Sequence, residues 1–554
     1  MILGLLDWVV IGLFFISIFA IGFYLKRFSG TGEGFFLAGR SNGAWAAGIA
    51  FLSANLGTIE ILGWTGGAMK YGIHVCHFYW IGAVPAMLFL GLYMMPFYYN
   101  SKVHSIPEYL RLRFDERTRM LNAVSFAFMT VLMSGVNLYM MALVFRSILG
   151  WNWELSLWVG AISVGFYIVL GGLLSAIFTE IVQFFLIWAG LLLVAILAIW
   201  ENGGVGGLVK DLPAGMTHLW ASTGTAAANP MEVGFGGIIL GLGFVLSFGY
   251  WTTNFLVVQR ALSSKDLRAA RLTPITAAYL KMFLPIIVVG AGLAALKLFE
   301  AGQLPLLPHP GTGGPWNDTA LPLLIARYYP EGLAGLGITA LLAGFMAGQA
   351  GNISAFNTVW TYDIYRPLFA PKASEKHLVL VGRISTIAGI LISVGTAYLA
   401  MNFDTIMDYI QAIFSWINAP LFAVMLLGMF WKRATPTAAF VGLGTGMVAS
   451  FTLFMLFRSG LLSPQANEWL TGYTAPGDMS RNFWQAVWSF GLALGLTFGL
   501  SFVTRRKPEA ELEGLVRGCT DLAREQHRGS WFTSPGFFAA VALGILLALN
   551  LLFW

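Results

Sequence analysis

Residues 50–67 read AFLSANLGTIEILGWTGG, an apolar stretch that holds Asn55, a carboxylate at Glu60 and four glycines. Each glycine in a helix interior costs about 1 kcal/mol relative to alanine, so an unbroken helix is disfavoured here. Backbone that loses its helical hydrogen bonds inside a bilayer is tolerated only where it is buried in protein or lines a water-filled cavity. Close helix packing would explain the glycines alone. Together with Asn55 and Glu60, they predict a helix broken halfway across a membrane.

The whole composition is that of a polytopic membrane protein. Of the 554 residues, 57% are hydrophobic and 10% are charged, and the mean hydropathy is +0.74. Soluble domains carry about 25% charged residues. Apolar stretches with the length of a membrane-spanning helix lie at residues 5–26, 43–69, 73–98, 120–148, 154–170, 174–200, 233–257, 273–298, 333–362, 380–401, 405–431, 434–457, 482–504 and 531–553. We therefore predict an all-α protein with about fourteen transmembrane helices.

The basic residues predict the orientation of the chain. If the amino terminus lies outside and the loops alternate, 24 of the 32 lysines and arginines fall in inner loops, as the positive-inside rule requires. We expect an integral protein of the plasma (inner) membrane with both termini outside. The pI of about 9.2 follows from this asymmetry, which favours anionic membrane lipid as a partner and not nucleic acid.

Three ionisable residues fall inside the predicted spans: Glu60, Glu180 and Lys281. A charged group at membrane depth costs about 2.5–3.5 kcal/mol on insertion scales, so it usually faces a partner or a cavity. Glu180 lies near the inner end of its span, where it can also reach the interface. For Glu60 and Lys281 two interpretations are open: a buried structural ion pair, or part of a cavity that binds a solute or an ion.

A second glycine-rich span, residues 233–257, follows five spans after the first. Its inner half carries polar and aromatic side chains: Ser247, Tyr250, Trp251, Thr252, Thr253 and Asn254. Two interrupted helices in matching positions are typical of an inverted repeat. This predicts an N-terminal helix with an inner loop, a core of two repeats, and three C-terminal helices with a cytoplasmic loop: residues 1–42, 43–431 (repeats at about 43–200 and 233–431) and 432–554 (loop 505–530).

Four stretches are distinctive enough to suggest a family: YIVLGGLLSAIFTEIVQFF (167–185), YWTTNFLVVQRALSSKDLRAAR (250–271), FNTVWTYDIYR (356–366) and YIQAIFSWINAPLFAVMLLGMFWKR (409–433). They resemble the sodium:solute symporter family, and the likeness runs in register from about residue 36 to about residue 440. The resemblance implies a LeuT-like fold of fourteen helices that works by alternating access. Its core would be a five-plus-five inverted repeat, with one extra helix before it and three after it.

The resemblance implies a solute pocket. Some positions of this pocket have the residue type of the family, and others have a different one. Glu60 stands where the family has glutamine, Tyr79 where it has glutamate, and Ser247 where it has asparagine. The expected substrate-binding residues are Asn55, Glu60, Tyr79, Ser247, Tyr250, Trp251, Lys281 and Gln411. Since a carboxylate accepts and an ammonium donates hydrogen bonds, a pocket with both suits a neutral hydroxylated solute. The expected gate residues are Trp64, Phe78 and Met407 outside and Tyr250 inside.

The resemblance also implies sodium as the coupling ion, with no other cofactor. The family's carbonyl ligands fall at Ser53, Leu56 and Gly344, and Glu180 replaces an aspartate on the sodium exit route. Two serine hydroxyls of the family fall at Ala347 and Gly348, which have no hydroxyl. An ion that prefers about six oxygen ligands thereby loses two.

The main functional hypothesis is sodium-coupled symport of a small polar solute, a sugar or a polyol. A proton-coupled or uncoupled transporter of the same fold and a non-transporting sensor are the alternatives. An enzyme is not expected, because the sequence shows no histidine and cysteine cluster with metal-ligand spacing. The expected partners are a small-molecule solute and membrane lipid, with no obligate protein partner.

Overall fold

The computed structural model describes residues 3–25, 36, 38–210, 212–221, 223, 229–309, 313–401, 403, 405–519 and 531–554. Over these residues the chain is helical, and two isolated β-bridges form no sheet. Eleven helices are long and apolar enough to cross a membrane, and two bent helix pairs raise the number of candidate spans to 13. The prediction of an all-α polytopic membrane protein is confirmed.

The principal helices are α1 Leu5–Leu25, α2 Ala44–Asn55, α3 Thr58–Cys76, α4 Phe78–Asn100, α5 Glu116–Leu149, α6 Trp153–Glu201, α7 Gly237–Thr253, α8 Phe255–Leu262, α9 Leu267–Glu300, α10 Leu333–Phe369, α11 Glu375–Ala400, α12 Ile406–Phe430, α13 Pro436–Ser459, α14 Asp478–Val503 and α15 Pro535–Leu552. Shorter helices lie between them: Ile106–Arg113, Gly204–Lys210, Ala214–Thr217, Ala320–Tyr328 and Pro464–Thr471. Most buried apolar side chains form one contiguous cluster that extends from α1 to α15.

Burial separates central helices from peripheral ones. In their most apolar windows, 94% of the α5 residues and 89% of the α10 residues are buried. The corresponding shares are 28% for α1 and α13, 33% for α14 and 22% for α15. The helices that precede residue 43 or follow residue 432 therefore lie at the periphery, and α5 and α10 lie at the centre.

The first predicted break is present between α2 and α3, which meet at an angle of 58°. The Gly57 amide donates to the Asn55 carbonyl at 2.8 Å instead of continuing the helical ladder. Only Gly57 lies at the break, because α3 runs without interruption through Gly63, Gly66 and Gly67. Gly66 instead permits close packing, since a side chain there would collide with Asp318.

The second predicted break is also present, but it lies near the end of the predicted span 233–257 and not in its middle. Helices α7 and α8 meet at 49° around Asn254, and the second arm continues to Leu262. The Asn254 side chain caps α8 by accepting a hydrogen bond from the Leu256 amide at 2.9 Å. Ser247, Tyr250 and the residues up to Thr253 therefore belong to the arm before the break and not to an inner half after it.

Helix α6 covers two predicted spans, 154–170 and 174–200, and the expected gap between them does not interrupt it. A straight helix of its 49 residues would be about 74 Å long, more than twice the hydrocarbon thickness of a bilayer. Gly160 packs against Phe345, and Gly190 packs against Ala340 of the same neighbouring helix α10. On a straight rod, residues 160 and 190 would be about 45 Å apart. Helix α6 is therefore not a straight rod, and the chain turns back between these two residues.

The predicted inner loop 505–530 is described only to residue 519, and 520–530 lie outside the described residues. Its first part packs onto the helical body, with Leu512 and Val516 buried. The Arg517 amide donates to the Met429 carbonyl at 2.8 Å, and the Tyr109 hydroxyl donates to the Leu515 carbonyl at 2.5 Å. These contacts attach the loop to the ends of α12 and of helix Ile106–Arg113.

Candidate solute-binding site

A cavity lies where the two broken helices meet. The eight side chains that the sequence proposes for solute binding all line it: Asn55, Glu60, Tyr79, Ser247, Tyr250, Trp251, Lys281 and Gln411. They come from six helices: α2 and α3 at the first break, α7 at the second, and α4, α9 and α12 around them. The fold thus brings together residues that are separated by more than 300 positions.

Lys281 and Glu60 form the charged centre of the cavity. The Lys281 ammonium donates to Glu60 Oε2 at 2.6 Å and to Asn55 Oδ1 at 2.6 Å. Glu60 is 5% exposed and Lys281 is 2% exposed, so both charges are largely removed from solvent. A buried pair of this kind persists only with close geometry and further hydrogen bonds, and Asn55 supplies one of these.

Local backbone features place both charges. Glu60 lies in the first turn of α3, directly after the break, where the positive end of the helix dipole favours a carboxylate. Lys281 ends the first α-helical part of α9, and the second part begins at Leu284 with Pro285 in its first turn. Because proline has no amide proton, it interrupts the hydrogen-bond ladder at this point. The Trp80 indole donates to the Met282 carbonyl at 3.0 Å within this interruption.

Aromatic rings surround the charged centre and close the cavity on one side. The Lys281 ammonium lies 5.0 Å from the Trp251 ring centroid and 5.3 Å from that of Tyr79, within the range of cation–π attraction. Tyr250 stacks on Phe414 with centroids 4.6 Å apart, and its hydroxyl accepts a hydrogen bond from Asn55 Nδ2 at 2.8 Å. Tyr250 and Trp251 thereby join the break of α2 and α3 to the second broken helix.

Of the three side chains expected at an outer gate, two line the cavity and the third does not. Trp64 and Phe78 line the cavity and contact each other edge to face, with centroids 5.7 Å apart. Met407 does not line the cavity and is fully buried. Its sulfur packs where Gly67 has no side chain. The missing side chain at Gly67 gives Met407 a buried space, which sequence position alone does not reveal.

Several cavity residues were missed from the sequence. Two are amides inside apolar helices, one is the amide at the second break, and three are apolar: Asn137, Asn352, Asn254, Met129, Met133 and Phe414. The sequence search followed charged residues, yet a neutral amide inside a span is also costly to bury without a partner. Asn137 and Asn352 carry that signal in otherwise apolar stretches of α5 and α10.

The residues proposed for sodium fall in two places. Gly344 and Gly348 of α10 pack on the first break, where Gly348 contacts Gly57 and Gly344 lies near the Leu56 carbonyl. The Ser53 hydroxyl nearby is fully buried and has no hydrogen-bond partner among the described residues. Ala347 is fully buried and brings no oxygen from its side chain.

Glu180 forms its hydrogen bonds with a different part of the chain. Arg260 of α8 donates to both of its oxygens, at 2.5 Å and 3.4 Å. Both side chains are fully buried, so the carboxylate is neutralised by a guanidinium.

The sodium ligand set of the family therefore fits this chain only in part. The Ser53 hydroxyl and the Leu56 carbonyl are oxygen groups at the break, but α10 contributes no hydroxyl opposite them. Direct contact of Gly348 with Gly57 closes the gap between the two elements. A six-oxygen site between them is incomplete in this arrangement.

The sequence matches the sodium:solute symporter family over residues 35–446, which is most of the chain and includes both broken helices. The chain belongs to this family. The family assignment and the cavity agree, because every residue that lines the cavity lies inside the matched region.

Two relatives illustrate how similar this chain is in sequence to other members of the family. The chain is 26% identical over 480 residues to the sodium/glucose cotransporter of Vibrio parahaemolyticus, covering 82% of this chain and 86% of that protein. It is 30% identical over 479 residues to the sodium/myo-inositol cotransporter 2 of Oryctolagus cuniculus, covering 81% of this chain and 70% of that protein. These relatives are transporters and not enzymes.

A solved structure shares the fold. The substrate-bound outward-open structure of a Na+-coupled sialic acid symporter superimposes with a TM-score of 0.75, covering 91% of this chain and 99% of that chain. The sequence identity is 20%, so this similarity shows the fold alone. The chain is an integral membrane transporter of the sodium:solute symporter family.

Proposed function

We propose that this symporter carries a small, neutral, polyhydroxylated solute, a sugar or a polyol, across the plasma (inner) membrane together with sodium. The observation that carries the proposal is the Lys281–Glu60–Asn55 cluster inside the cavity at the first break. The names of the sugar and inositol cotransporters among its relatives support the same solute class. Family membership supports sodium as the coupling ion.

Charge balance in the cavity favours a neutral solute. Glu60 and Lys281 neutralise each other at 2.6 Å. A charged solute would pair with one of them and leave the other unpaired in a buried site, which costs several kcal/mol, on the order of 3–5. A hydroxyl can accept from the ammonium and donate to the carboxylate without separating the charges far. The Tyr250 and Trp251 rings offer apolar faces to the carbon–hydrogen face of a sugar ring.

We propose alternating access around the two breaks, with solute entering between Trp64 and Phe78. Fourteen crossings follow if α6 provides two, and the repeats 43–200 and 233–431 then move against each other with both termini outside. Release to the inside requires that Tyr250 and Trp251 move. It also requires that the contacts of α8 separate, because Arg260 pairs with Glu180 and Gln259 Nε2 donates to Thr358 Oγ1 at 3.1 Å.

A second candidate is transport by the same cavity without sodium. The observation that favours it is the contact of Gly348 with Gly57, with no hydroxyl at Ala347 or Gly348. We retain Ser53, Leu56, Gly344, Ala347, Gly348 and Glu180 as the sodium-site proposal. Sodium dependence of transport decides between the two candidates.

Uptake by proteoliposomes tests both parts of the proposal. Radiolabelled D-glucose and myo-inositol are offered with an inward sodium gradient, with choline in place of sodium, and with a protonophore. We expect uptake that neutral sugars or polyols inhibit, and that glucuronate and glucosamine do not inhibit. Inhibition by only the charged compounds would contradict the solute class. Uptake that is equal in choline would contradict sodium coupling, and its collapse with the protonophore would indicate protons instead.

A further inference from the structure

A buried chain of hydrogen bonds connects the first break to α10 through α5. The Thr58 hydroxyl donates to Asn137 Oδ1 at 2.8 Å, and Asn137 Nδ2 donates to the Phe345 carbonyl at 2.9 Å. Asn137 Nδ2 also lies 3.4 Å from Gln349 Oε1, and Gln349 Nε2 donates to Ser134 Oγ at 2.6 Å. We call these four side chains the amide bridge: Thr58, Ser134, Asn137 and Gln349.

The amide bridge has no access to solvent. All four residues are fully buried in the surroundings of α5, one of the central helices. In a low-dielectric interior a satisfied hydrogen bond is strengthened, and a partner left unpaired costs about 1–3 kcal/mol. The bridge is therefore a specific connection whose members depend on one another.

The position of the bridge gives it a function in the site. Thr58 is the first residue of α3 after the break, and Glu60 lies two residues further in the same helical turn. Phe345 and Gln349 lie on α10 on either side of Ala347 and Gly348. The amide of Asn137 thus reaches from the break to the segment of α10 where this chain has no hydroxyl for an ion.

We propose that Asn137 is a positioning residue, which holds the start of α3 onto α10 by direct hydrogen bonds and thereby places Glu60 against Lys281. In this chain side-chain amides and the contact of Gly57 with Gly348 connect the break to α10 directly. The proposal rests on the proposed function only in that the positioned cavity is the transport site. This connection does not require a bound sodium ion.

Two substitutions on opposite sides of one hydrogen bond test the proposal. Asn137→Leu keeps a similar shape and removes the amide, and Thr58→Val removes only the hydroxyl. Asn137 also lines the cavity but Thr58 does not, so Thr58 separates positioning from direct solute contact. Asn122→Leu is the matched control, because it removes another buried amide of α5 whose side chain has no hydrogen-bond partner among the described residues. Thr58→Ser retains the hydroxyl and serves as the conservative rescue.

The first measurement is the uptake of D-glucose and myo-inositol by proteoliposomes. For Asn137→Leu and Thr58→Val we expect KM to rise about tenfold, the size of one lost buried hydrogen bond, with a smaller change in Vmax. Thr58→Ser and Asn122→Leu should keep KM within about twofold of the wild type, a change below 0.5 kcal/mol. A rise in KM for Asn137→Leu without one for Thr58→Val would overturn the proposal and make Asn137 a solute contact.

The second measurement needs no solute and separates this proposal from the proposed function. Thermal unfolding of the wild type, both single variants and the double variant forms a double-mutant cycle. We expect the melting temperature of the double variant to be no lower than that of Asn137→Leu. The differences in melting temperature between the wild type and the variants should be the same in sodium chloride and in choline chloride. Additive losses, or differences that sodium removes, would overturn the proposal. A wild type that transports neither glucose nor inositol would contradict the proposed solute class. The double-mutant cycle would still test the positioning proposal, because it needs no solute.

Discussion

The Lys281 ammonium lies 2.6 Å from Glu60 Oε2, although the two residues are 221 positions apart in the chain. One side chain comes from the interruption of α9 and the other from the first turn of α3 after the break. Hydrogen bonds from this ammonium to both carboxylate oxygens of Glu60 thus join two irregular backbone segments within the cavity. This pair therefore bears on both the stability of the protein and the chemistry of the cavity.

Neutralising one member of this pair should cost more than neutralising both. Glu60→Gln or Lys281→Met leaves a buried charge unpaired, so we expect a loss of about 3–5 kcal/mol in the free energy of unfolding. The double variant should recover most of this loss because no charge remains. Glucose and inositol uptake should be absent in all three. Thermal unfolding and proteoliposome uptake are the measurements, and a double variant that transports normally would show that the charges are not needed.

Asp318, in the segment between α9 and α10, should make stability depend on pH. Burial raises the pKa of Asp318 from 3.8 to about 7, opposed by the Ile406 amide, with nearby Asp408 raising it further and Lys70 lowering it. Because the folded-state pKa lies above the unfolded value, the favourable contribution is complete below about pH 4 and is lost as the pH rises to 7. The slope is about 1.4 kcal/mol per pH unit at most.

The variant Asp318→Asn isolates this group from the other titrating residues. We expect the wild type minus variant difference in melting temperature to fall between pH 5 and pH 7 and to level off above about pH 8. Differential scanning fluorimetry of both proteins in matched buffers measures it. A difference that stays constant over this range would show that Asp318 has an ordinary titration in the folded state.

Restoring a hydroxyl on α10 should destabilise this chain. In Gly348→Ser the new Cβ would lie 3.0 Å from the Gly57 Cα, a backbone atom that cannot turn away. Overpacking of this kind costs about 1–3 kcal/mol. The matched control is Gly395→Ser on α11, where a Cβ meets no atom within 4 Å. Thermal unfolding with and without sodium measures this loss of stability. A Gly348→Ser protein that sodium stabilises would instead indicate a restored ion site.

Asp7 should be required for the attachment of α1 to the start of α10. Asp7 Oδ1 accepts hydrogen bonds from the amides of Gly332 at 2.8 Å and Gly335 at 2.5 Å. This is a helix cap supplied from another helix, and loss of a cap costs about 0.5–2 kcal/mol. We expect Asp7→Ala to lower the melting temperature and Ser17→Ala, an exposed change on the same helix, to have little effect. Equal melting temperatures would contradict the capping function.

The central residues of the cavity could be predicted from the sequence because each is unusual for the segment in which it lies. Glu60 and Lys281 are charges in apolar runs, and Gly57 lies two residues after an asparagine in a span that should be helical. Such conflicts between local composition and a bilayer environment are visible without a structure. Asn137 was overlooked, because a neutral amide in a span is a weaker anomaly than a charge and its partners on α10 are more than 200 positions away.

By itself, the sequence determined that this protein is a membrane-embedded bundle of helices, that two of its spans are interrupted, and which side chains are too polar to face lipid. These properties depend on hydropathy and backbone preference, which act over a few turns of chain. Only the tertiary structure decided that Met407 lies beside Gly67, that α6 doubles back along α10, that Gly348 contacts Gly57, and that Arg260 neutralises Glu180. Each of these depends on contact between distant segments, and the close packing of a protein interior fixes such contacts through the shape of every neighbour at once.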